Sequence, residues 1–235
     1  MNIRIINAVA RGVLDEDILP PVPDFVTLEC DWLAEGPSSI ECRVDDARAV
    51  PAVLDRVALA SGEVDGIVLN CFMDPGLEAA REMVRLPVAG PGQSAMALAT
   101  TLGRTFSVIL PAASGAPIVV DEAIRYVGRD RLASVRGVET PVAGLHDHDR
   151  LIAGLLDQAE RAVLEDDAEV VILGCTGMCG VTASVRNGLA DLGYDIPVVD
   201  PTLAAIGNVV AQILAGVHHS GRTYAVPSWH ALAER

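Results

Sequence analysis

The sequence repeats one arrangement of elements twice, and this repeat constrains the fold more than any other feature. In the first half, an apolar run at Ile3–Asn7 precedes a second run that ends at Cys71. In the second half, Phe106–Leu110 precedes a run that ends at Cys175. The first run begins 68 positions before the cysteine in one half and 69 positions before it in the other. Such agreement indicates two copies of one structural unit.

Both halves also continue in the same way after their cysteine. A glycine-containing turn and a helical stretch lead to a short Pro-Val segment, at Leu86–Pro91 in one half and Ile196–Pro201 in the other. An alanine-rich helix is predicted after the second proline of each segment, at Gln93–Leu102 and Leu203–Leu214. The two copies therefore meet near residue 103.

The apolar runs predict strands that are buried on both faces. They are rich in Ile, Val and Leu and show no alternation with polar residues; the clearest are Ile3–Asn7, Gly66–Asn70, Phe106–Leu110 and Val170–Gly174. Amphipathic helical patterns such as Asp46–Ala60 and His148–Leu164 lie between them. Strands that alternate with helices predict an α/β fold with parallel sheets.

The charged residues exclude several kinds of chemistry. All 17 basic residues of the 235 are arginine, so the chain has no lysine. Schiff-base catalysis and a Walker phosphate loop both need a lysine and are therefore excluded. The formal net charge is −15, which disfavours a surface for nucleic acid or for an anionic membrane. We expect a small-molecule substrate.

Five cysteines bear on the location and on the site. They are Cys30, Cys42, Cys71, Cys175 and Cys179. An odd number, without a signal-peptide pattern or an apolar run long enough to span a membrane, predicts reduced thiols in the cytoplasm. The spacings support neither a zinc site nor a redox pair, so we expect no metal. We interpret Cys30, Cys42 and Cys179 as inert structural residues. For Cys179 the alternative is a neighbour thiol that lines the site.

Cys71 and Cys175 are the candidate catalytic residues, because each follows a predicted strand where parallel sheets bind ligands. A helix predicted directly after each cysteine would lower the thiol pKa. Asp74 followed by proline suggests the N-cap of the first of these helices. The Asp74 carboxylate would oppose ionisation of Cys71 if it faced the sulfur.

Two thiols on opposite walls of a cleft suit stereochemical inversion, in which one thiolate removes a proton and the other thiol donates one. Backbone N–H groups after each cysteine would stabilise the carbanion.

Four segments carry a resemblance to a known family. They are the two cysteine motifs, the segment after the first of them and a stretch upstream: Asn70–Arg81, Leu173–Met178, Pro87–Met96 and Gly36–Glu41. The chain resembles the hydantoin racemase branch of the aspartate/glutamate/hydantoin racemase superfamily. The resemblance implies an α/β fold of two pseudo-symmetric flavodoxin-like lobes with parallel sheets and the active site in the cleft between them. It implies one lobe of residues 1–95 plus 201–235 and a second lobe of residues 96–200.

The resemblance also implies the reaction and the residues that perform it. A cofactor-independent racemase or epimerase would use Cys71 and Cys175 as its acid/base pair. Relatives of this superfamily are oligomers, so the resemblance also implies a homo-oligomer. The substrate contacts that we expect come from residues beside the cysteines, from the end of the first strand and from the segment after the first motif, namely Asn7, Asn70, Phe72, Pro91, Thr176 and Gly177.

The chain departs from the family at two positions. Relatives often continue the first asparagine as Asn-Pro-Asn-Thr, whereas this chain has Asn7-Ala8-Val9-Ala10. Amino-acid racemases of the superfamily often carry His or Glu where this chain has Gly177. A hydantoin ring yields a more stabilised carbanion than a free amino acid and needs less help, so Gly177 favours a 5-substituted hydantoin or a related cyclic ureide.

Several alternatives stay open at this point. An allantoin racemase or an amino-acid racemase of the Asp/Glu type would use the same pair of thiols. A decarboxylase or a cis–trans isomerase of the superfamily would change the reaction. A two-lobed binding protein that closes on a small ligand would perform no chemistry.

Overall fold

Two separate four-stranded parallel sheets form the framework. The computed structural model describes residues 1–11, 19–140, 142–145 and 147–226. The first sheet has the order β2-β1-β3-β4 and consists of β1 (Asn2–Ala10), β2 (Thr27–Leu33), β3 (Gly66–Asn70) and β4 (Val88–Ala89). The second has the order β6-β5-β7-β8 and consists of β5 (Phe106–Leu110), β6 (Leu132–Gly137), β7 (Val170–Leu173) and β8 (Val198–Val199).

Helices cover these sheets. Within the described residues they are α1 (Arg43–Ala60), α2 (Leu77–Met83), α3 (Pro91–Leu102), α4 (Ala116–Tyr126), α5 (His148–Asp166), α6 (Thr182–Asp191) and α7 (Pro201–Ala215). None of them combines the length and the apolar content that crossing a bilayer requires. The strand order 2-1-3-4 of each sheet is that of flavodoxin-like folds, which confirms the predicted α/β class of parallel sheets.

The equal strand orders also explain why the cysteines are equivalent. Cys71 directly follows β3, and Cys175 follows β7 after a single glycine. Both strands take the third place in their sheets, beside the strand that begins each half. The register pairs Asn7 of β1 with Asn70 of β3, so polar side chains from neighbouring strands meet at the carboxyl edge of the first sheet.

The two Ala-rich helices are exchanged between the sheets. Helix α3 belongs to the first half but packs Ala95 and Met96 into the core around β5. Helix α7 belongs to the second half but packs Ala205 and Val209 against β1 and β3. We propose from this packing that the lobes divide near the implied boundaries; the boundary at residues 95 and 96 falls within α3, and residues 227–235 lie outside the described part.

The predicted helix cap after Cys71 is wrong. Helix α2 begins at Leu77, and its N-cap is Gly76 in the left-handed conformation with φ 73°. The Asp74 carboxylate instead accepts the N–H groups of Gly92 and Gln93 at 2.9 and 2.8 Å. These N–H groups open helix α3, whose orphan donors need an acceptor because Gly90 at the N-cap has no side chain. Asp74 therefore joins the loop after β3 to the exchanged helix α3.

Candidate functional site

Both candidate cysteines line one cavity between the carboxyl edges of the two sheets. Residues of both halves form its walls. The polar side chains that line it are Asn7, Ser38, Ser39, Glu41, Asn70, Cys71, Ser114, Cys175 and Thr176. The apolar wall comprises Val9, Ile40, Phe72, Met73, Leu110, Pro111, Ala112 and Val142. A small molecule in this cavity would have a thiol from each sheet beside it.

Burial governs the Cys71 thiol. Loss of hydration raises its pKa well above the ordinary value, and the neighbouring charges of Cys175, Asp74 and Asp46 raise it further. The N–H of Met73 donates a hydrogen bond to the sulfur and opposes this shift. Mutual repulsion between the two cysteines means that ionising one of them disfavours ionising the other.

Cys175 has a similar environment in the second lobe. Burial raises the pKa of its thiol to about 11, and the charge of Glu41 contributes to the increase. The N–H groups of Gly177 and Met178 donate to the sulfur and lower the pKa in part. Backbone N–H groups after each cysteine, which the sequence analysis assigns to a carbanion, therefore donate to the cysteine sulfurs. Those of Gly177 and Met178 donate to Cys175, and that of Met73 donates to Cys71.

The prediction that each thiol has a lowered pKa is wrong. Helix α2 begins at Leu77, six positions after Cys71. Cys175 is followed by the short 3-10 turn Thr176–Met178, and α6 begins only at Thr182. Because neither sulfur lies at the end of an α-helix, the loss of hydration outweighs the local N–H donors.

A hydrogen-bond network supports the floor of the cavity. The amide of Asn70 donates to Oδ1 of Asn7 at 2.8 Å, and the amide of Asn7 donates to the carbonyl of Asp31 at 3.2 Å. Thr202 Oγ1 donates to Oδ1 of Asn70 at 3.0 Å, and Thr176 Oγ1 donates to the Asn70 carbonyl at 3.3 Å. The network links the end of β3 to both α7 and the second cysteine motif.

The other predicted contacts divide into two groups. Phe72 and Gly177 line the cavity together with the asparagines and Thr176. A Cβ at Gly177 would lie 3.5 Å from the Cys175 sulfur, so any side chain there would contact the thiol. Pro91 begins α3 and is not among the described residues that line the cavity. Sequence reasoning thus assigned the pocket wall more accurately beside the cysteines than in the segment after the first motif.

The three other cysteines, Cys179, Cys42 and Cys30, lie outside the lining of the cavity that holds Cys71 and Cys175. Cys179 is partly buried, and burial raises its pKa to about 11 with a further contribution from Asp200. Cys42 is exposed at the N-terminus of α1, where its sulfur contacts Asp45. Cys30 is a partly buried residue of β2. None of the three is among the described residues that line the cavity.

Sequence reasoning missed three kinds of site residue. Glu41 and the serines Ser38 and Ser39 come from the loop before α1, a stretch that the family resemblance had marked without assigning it a role. Ser114 follows β5 in the second lobe. Thr202 lies directly after the second Pro-Val segment, so the repeat itself was the signal that could have found it.

Similarity to known proteins extends over most of the chain. A family model described as Asp/Glu/Hydantoin racemase matches residues 10–209. A hydantoin racemase of Rhizobium meliloti is 36% identical over 202 residues, covering 85% of this chain and 82% of that protein. The solved allantoin racemase from Klebsiella pneumoniae has a TM-score of 0.85 and 27% identity, covering 97% of this chain and 94% of the other. An allantoin racemase from Pseudomonas fluorescens gives a TM-score of 0.86 at 27% identity, covering 97% of both chains.

Proposed function

The chain belongs to the Asp/Glu/hydantoin racemase family and is an isomerase of the racemase type, and from this premise we propose that it inverts C5 of a 5-substituted hydantoin with Cys71 and Cys175 as the acid/base pair. The observation that carries the proposal is that the two thiols occupy equivalent positions in opposite sheets and line one cavity. A planar ring held between them meets one thiol on each face.

The proposed reaction balances within the pair of cysteines. One cysteine, as thiolate, takes the C5 proton, and the electron pair of the broken C–H bond is delocalised into the neighbouring C4 carbonyl. The other cysteine, as thiol, donates its proton to the opposite face of C5 and becomes the thiolate. The next turnover then begins from the second cysteine, which is how one pair serves both enantiomers.

Backbone donors assist each cysteine while it is the thiolate. The N–H of Met73 serves Cys71, and those of Gly177 and Met178 serve Cys175. Since the raised pKa values make the resting thiolate scarce, each thiolate is strongly basic when it forms. A strong base is what a weakly acidic C–H group requires.

Charge in the cavity supports a neutral substrate. Glu41 is the only charged side chain among the described residues that line it. A free amino acid carries an α-carboxylate, which needs a cationic or multiple-donor partner when it is desolvated. Hydantoins carry ring carbonyls and N–H groups, which the hydroxyls of Ser38, Ser39 and Ser114 are able to hydrogen-bond. The extensive apolar wall further suits an apolar substituent at C5.

A substrate panel tests this proposal. Single enantiomers of an aryl- or alkyl-substituted hydantoin, allantoin, aspartate and glutamate would be incubated with the protein in deuterated water, and loss of optical rotation and of the C5 or Cα proton would be followed. We expect the highest kcat/KM with an apolar hydantoin. Faster turnover of allantoin would assign the second candidate, which the two structural relatives favour. Turnover of amino acids alone would contradict the proposal.

The pH dependence follows from the raised thiol pKa values. A raised pKa keeps the proton on sulfur at neutral pH, so the singly ionised pair becomes more abundant as the pH increases. We expect kcat/KM for a hydantoin to increase by up to about tenfold per pH unit between pH 7 and about 9. Initial rates corrected for the uncatalysed reaction measure this profile. A constant kcat/KM across that range would mean that the reactive thiol is already ionised at neutral pH.

Glu41→Gln should move this profile in a defined direction. The charge of Glu41 raises the pKa of Cys175, so its removal lowers that pKa and shifts the alkaline rise to lower pH, by ~0.3–0.5 unit at a partly exposed position. At pH 7 this corresponds to an increase of about two- to threefold in kcat/KM. Glu35→Gln, at an exposed position of the same loop region, is the matched control and should leave the profile unchanged. A shift of the rise to higher pH would contradict the electrostatic role.

A further inference from the structure

The carboxamide of Asn70 is held by a residue from the second half of the chain. Thr202 lies in the first turn of helix α7 and is 4% exposed, and its hydroxyl donates to Oδ1 of Asn70 at 3.0 Å. The cap of α7 fixes the place of Thr202, because the Asp200 carboxylate accepts the N–H of Leu203 at 3.0 Å. Thr202 is not among the described residues that line the thiol cavity. Its link to the site is therefore the hydrogen bond to Asn70.

The direction of this hydrogen bond is determined by a chain of neighbouring bonds. The carbonyl of Asp31 is an acceptor only, so it faces the amide nitrogen of Asn7, which donates at 3.2 Å. Oδ1 of Asn7 then faces Asn70 and accepts from its amide nitrogen at 2.8 Å. Oδ1 of Asn70 is left opposite Thr202, whose hydroxyl has to donate. Turning over the amide of either asparagine would place two oxygen acceptors against each other.

The Asn70 amide keeps one N–H group that this chain of bonds does not use. A carboxamide nitrogen carries two N–H groups, and the second one of Asn70 has no acceptor among the described residues. Asn70 lines the cavity and directly precedes Cys71. The proposed reaction needs a donor at such a place, because removal of the C5 proton puts negative charge on the oxygen of the neighbouring carbonyl.

The duplicated architecture offers an internal comparison for Thr202. Helix α7 packs on β3 of the first sheet, and helix α3 packs on β7 of the second, so each sheet has one exchanged helix beside the strand that precedes its cysteine. Three equivalent positions carry a polar side chain around the first sheet and none around the second: Asn7 against Leu110, Asn70 against Gly174, and Thr202 against Gly92. Where the asparagines are absent, the hydroxyl is absent too. An exchanged helix therefore begins without a threonine, and the Thr202 hydroxyl belongs with the amides.

We propose that Thr202 is a positioning residue for racemisation: it holds the Asn70 carboxamide so that the free N–H donates to the substrate carbonyl beside the inverted carbon. This inference rests on the proposed function, which places that carbonyl next to Cys71. Without the Thr202 hydroxyl, Oδ1 of Asn70 is a partly buried acceptor that lacks its donor, which is costly. The amide then rotates to face water or another donor, and its free N–H loses a fixed direction. Because the N–H acts most strongly on the charged enolate, the loss should fall on kcat more than on KM.

Two substitutions at Thr202 test the hydroxyl, with the member of the substrate panel that the parent protein turns over best. Valine keeps the shape of threonine without the donor, so Thr202→Val should reduce kcat about 10- to 100-fold and change KM less than about threefold. Serine restores the donor, so Thr202→Ser should stay within about threefold of the parent kcat. Thr101→Val is the matched control, because the Thr101 hydroxyl bonds the Leu98 carbonyl of its own helix α3, and its kcat should equal that of the parent. An unchanged kcat in Thr202→Val, or equal losses in the valine and serine variants, would overturn the proposal.

Proton exchange distinguishes a misdirected amide from a displaced thiol. Both enantiomers pass through the same enolate, so Thr202→Val should slow exchange of the C5 proton in deuterated water by a similar factor for each. Displacement of Cys71 would instead slow mainly the enantiomer that Cys71 deprotonates. Slower exchange of one enantiomer alone would therefore contradict the proposal.

A double variant tests whether Thr202 acts through Asn70. In an Asn70→Ala protein the amide is already absent, so adding Thr202→Val should cause no further loss of kcat. Independent, multiplying losses would contradict the proposal. Thermal melting curves establish that the single and double variants are folded.

The parent protein separates this inference from the function on which it rests. If the parent racemises a hydantoin and Thr202→Val matches it, only the role of Thr202 is refuted. If the parent racemises no member of the panel, the proposed function fails and the inference fails with it.

Discussion

Replacing Cys71 or Cys175 with alanine is expected to reduce hydantoin racemisation by at least about 10³-fold. Each thiol serves one face of C5, and each enantiomer needs both thiols, one to remove the proton and one to replace it. Either single variant therefore abolishes inversion in both directions. Polarimetry on each pure enantiomer measures the loss. Thermal melting curves close to that of the parent protein establish that the variants are folded.

Serine variants make the same prediction more specific. A serine hydroxyl is a far weaker acid than a thiol and does not ionise to a base near neutral pH, so the Cys71→Ser protein should exchange the C5 proton only of the enantiomer that presents it to Cys175. The Cys175→Ser protein should show the opposite preference. Proton NMR in deuterated water records this exchange separately from racemisation.

Cys179→Ala is the matched control for these variants. Cys179 is partly buried and has a similarly raised thiol pKa, but it does not line the cavity among the described residues. We expect its racemase activity to stay within about twofold of the parent. If Cys71→Ala and Cys175→Ala both racemise at the parent rate, the two-thiol mechanism is wrong, whatever the substrate.

Gly92→Ala is expected to have the largest effect on stability. A Cβ at this position would lie 2.1 Å from the carbonyl oxygen of Phe72 and 3.2 Å from Oδ2 of Asp74. The first of these contacts is with backbone, which cannot rotate away as a side chain can. Relief therefore requires the loop that carries Cys71 to move away from helix α3. We expect a loss of ~1–3 kcal/mol or more in the free energy of unfolding.

Thermal melting and kinetics together measure this effect. For a chain of this size the expected loss lowers Tm by roughly 2–12 °C, and displacement of Cys71 should reduce kcat as well. Gly207→Ala is the matched control, because a Cβ at Gly207 in helix α7 has no atom within 4 Å. Alanine there should be neutral or stabilise the helix by up to about 1 kcal/mol. Equal Tm changes in the two variants would show that the Gly92 contact is not specific.

The outline of the fold was predictable because burial leaves a signal in local sequence. Strands β3 and β5 have the predicted bounds, Gly66–Asn70 and Phe106–Leu110. Every residue of β5 is buried, which is why its pattern is continuous rather than alternating. The equal spacings to Cys71 and Cys175 then predicted equivalent strands, and the two sheets have the same strand order.

The site was predictable only in part. Asn70, Phe72, Thr176 and Gly177 adjoin the cysteines in sequence, so they share the same strand ends and reach the cavity. Glu41 comes from a distant loop, and no periodic pattern reports which end of the sheet a loop approaches. The role of Asp74 was misassigned for a related reason: its hydrogen-bond partners, which begin at Gly92, lie eighteen positions further along the chain.

The amino-acid sequence by itself determined the duplicated α/β architecture and the equivalence of Cys71 and Cys175, because apolar runs and turn residues are local and both halves carry them at matching intervals. Only the tertiary structure decided the ionisation of these thiols. A pKa reflects all the atoms that exclude water and all the charges nearby, and for Cys175 these include a carboxylate 134 positions away in the chain. Burial of both sulfurs raises the two thiol pKa values, whereas the predicted position before a helix would have lowered them.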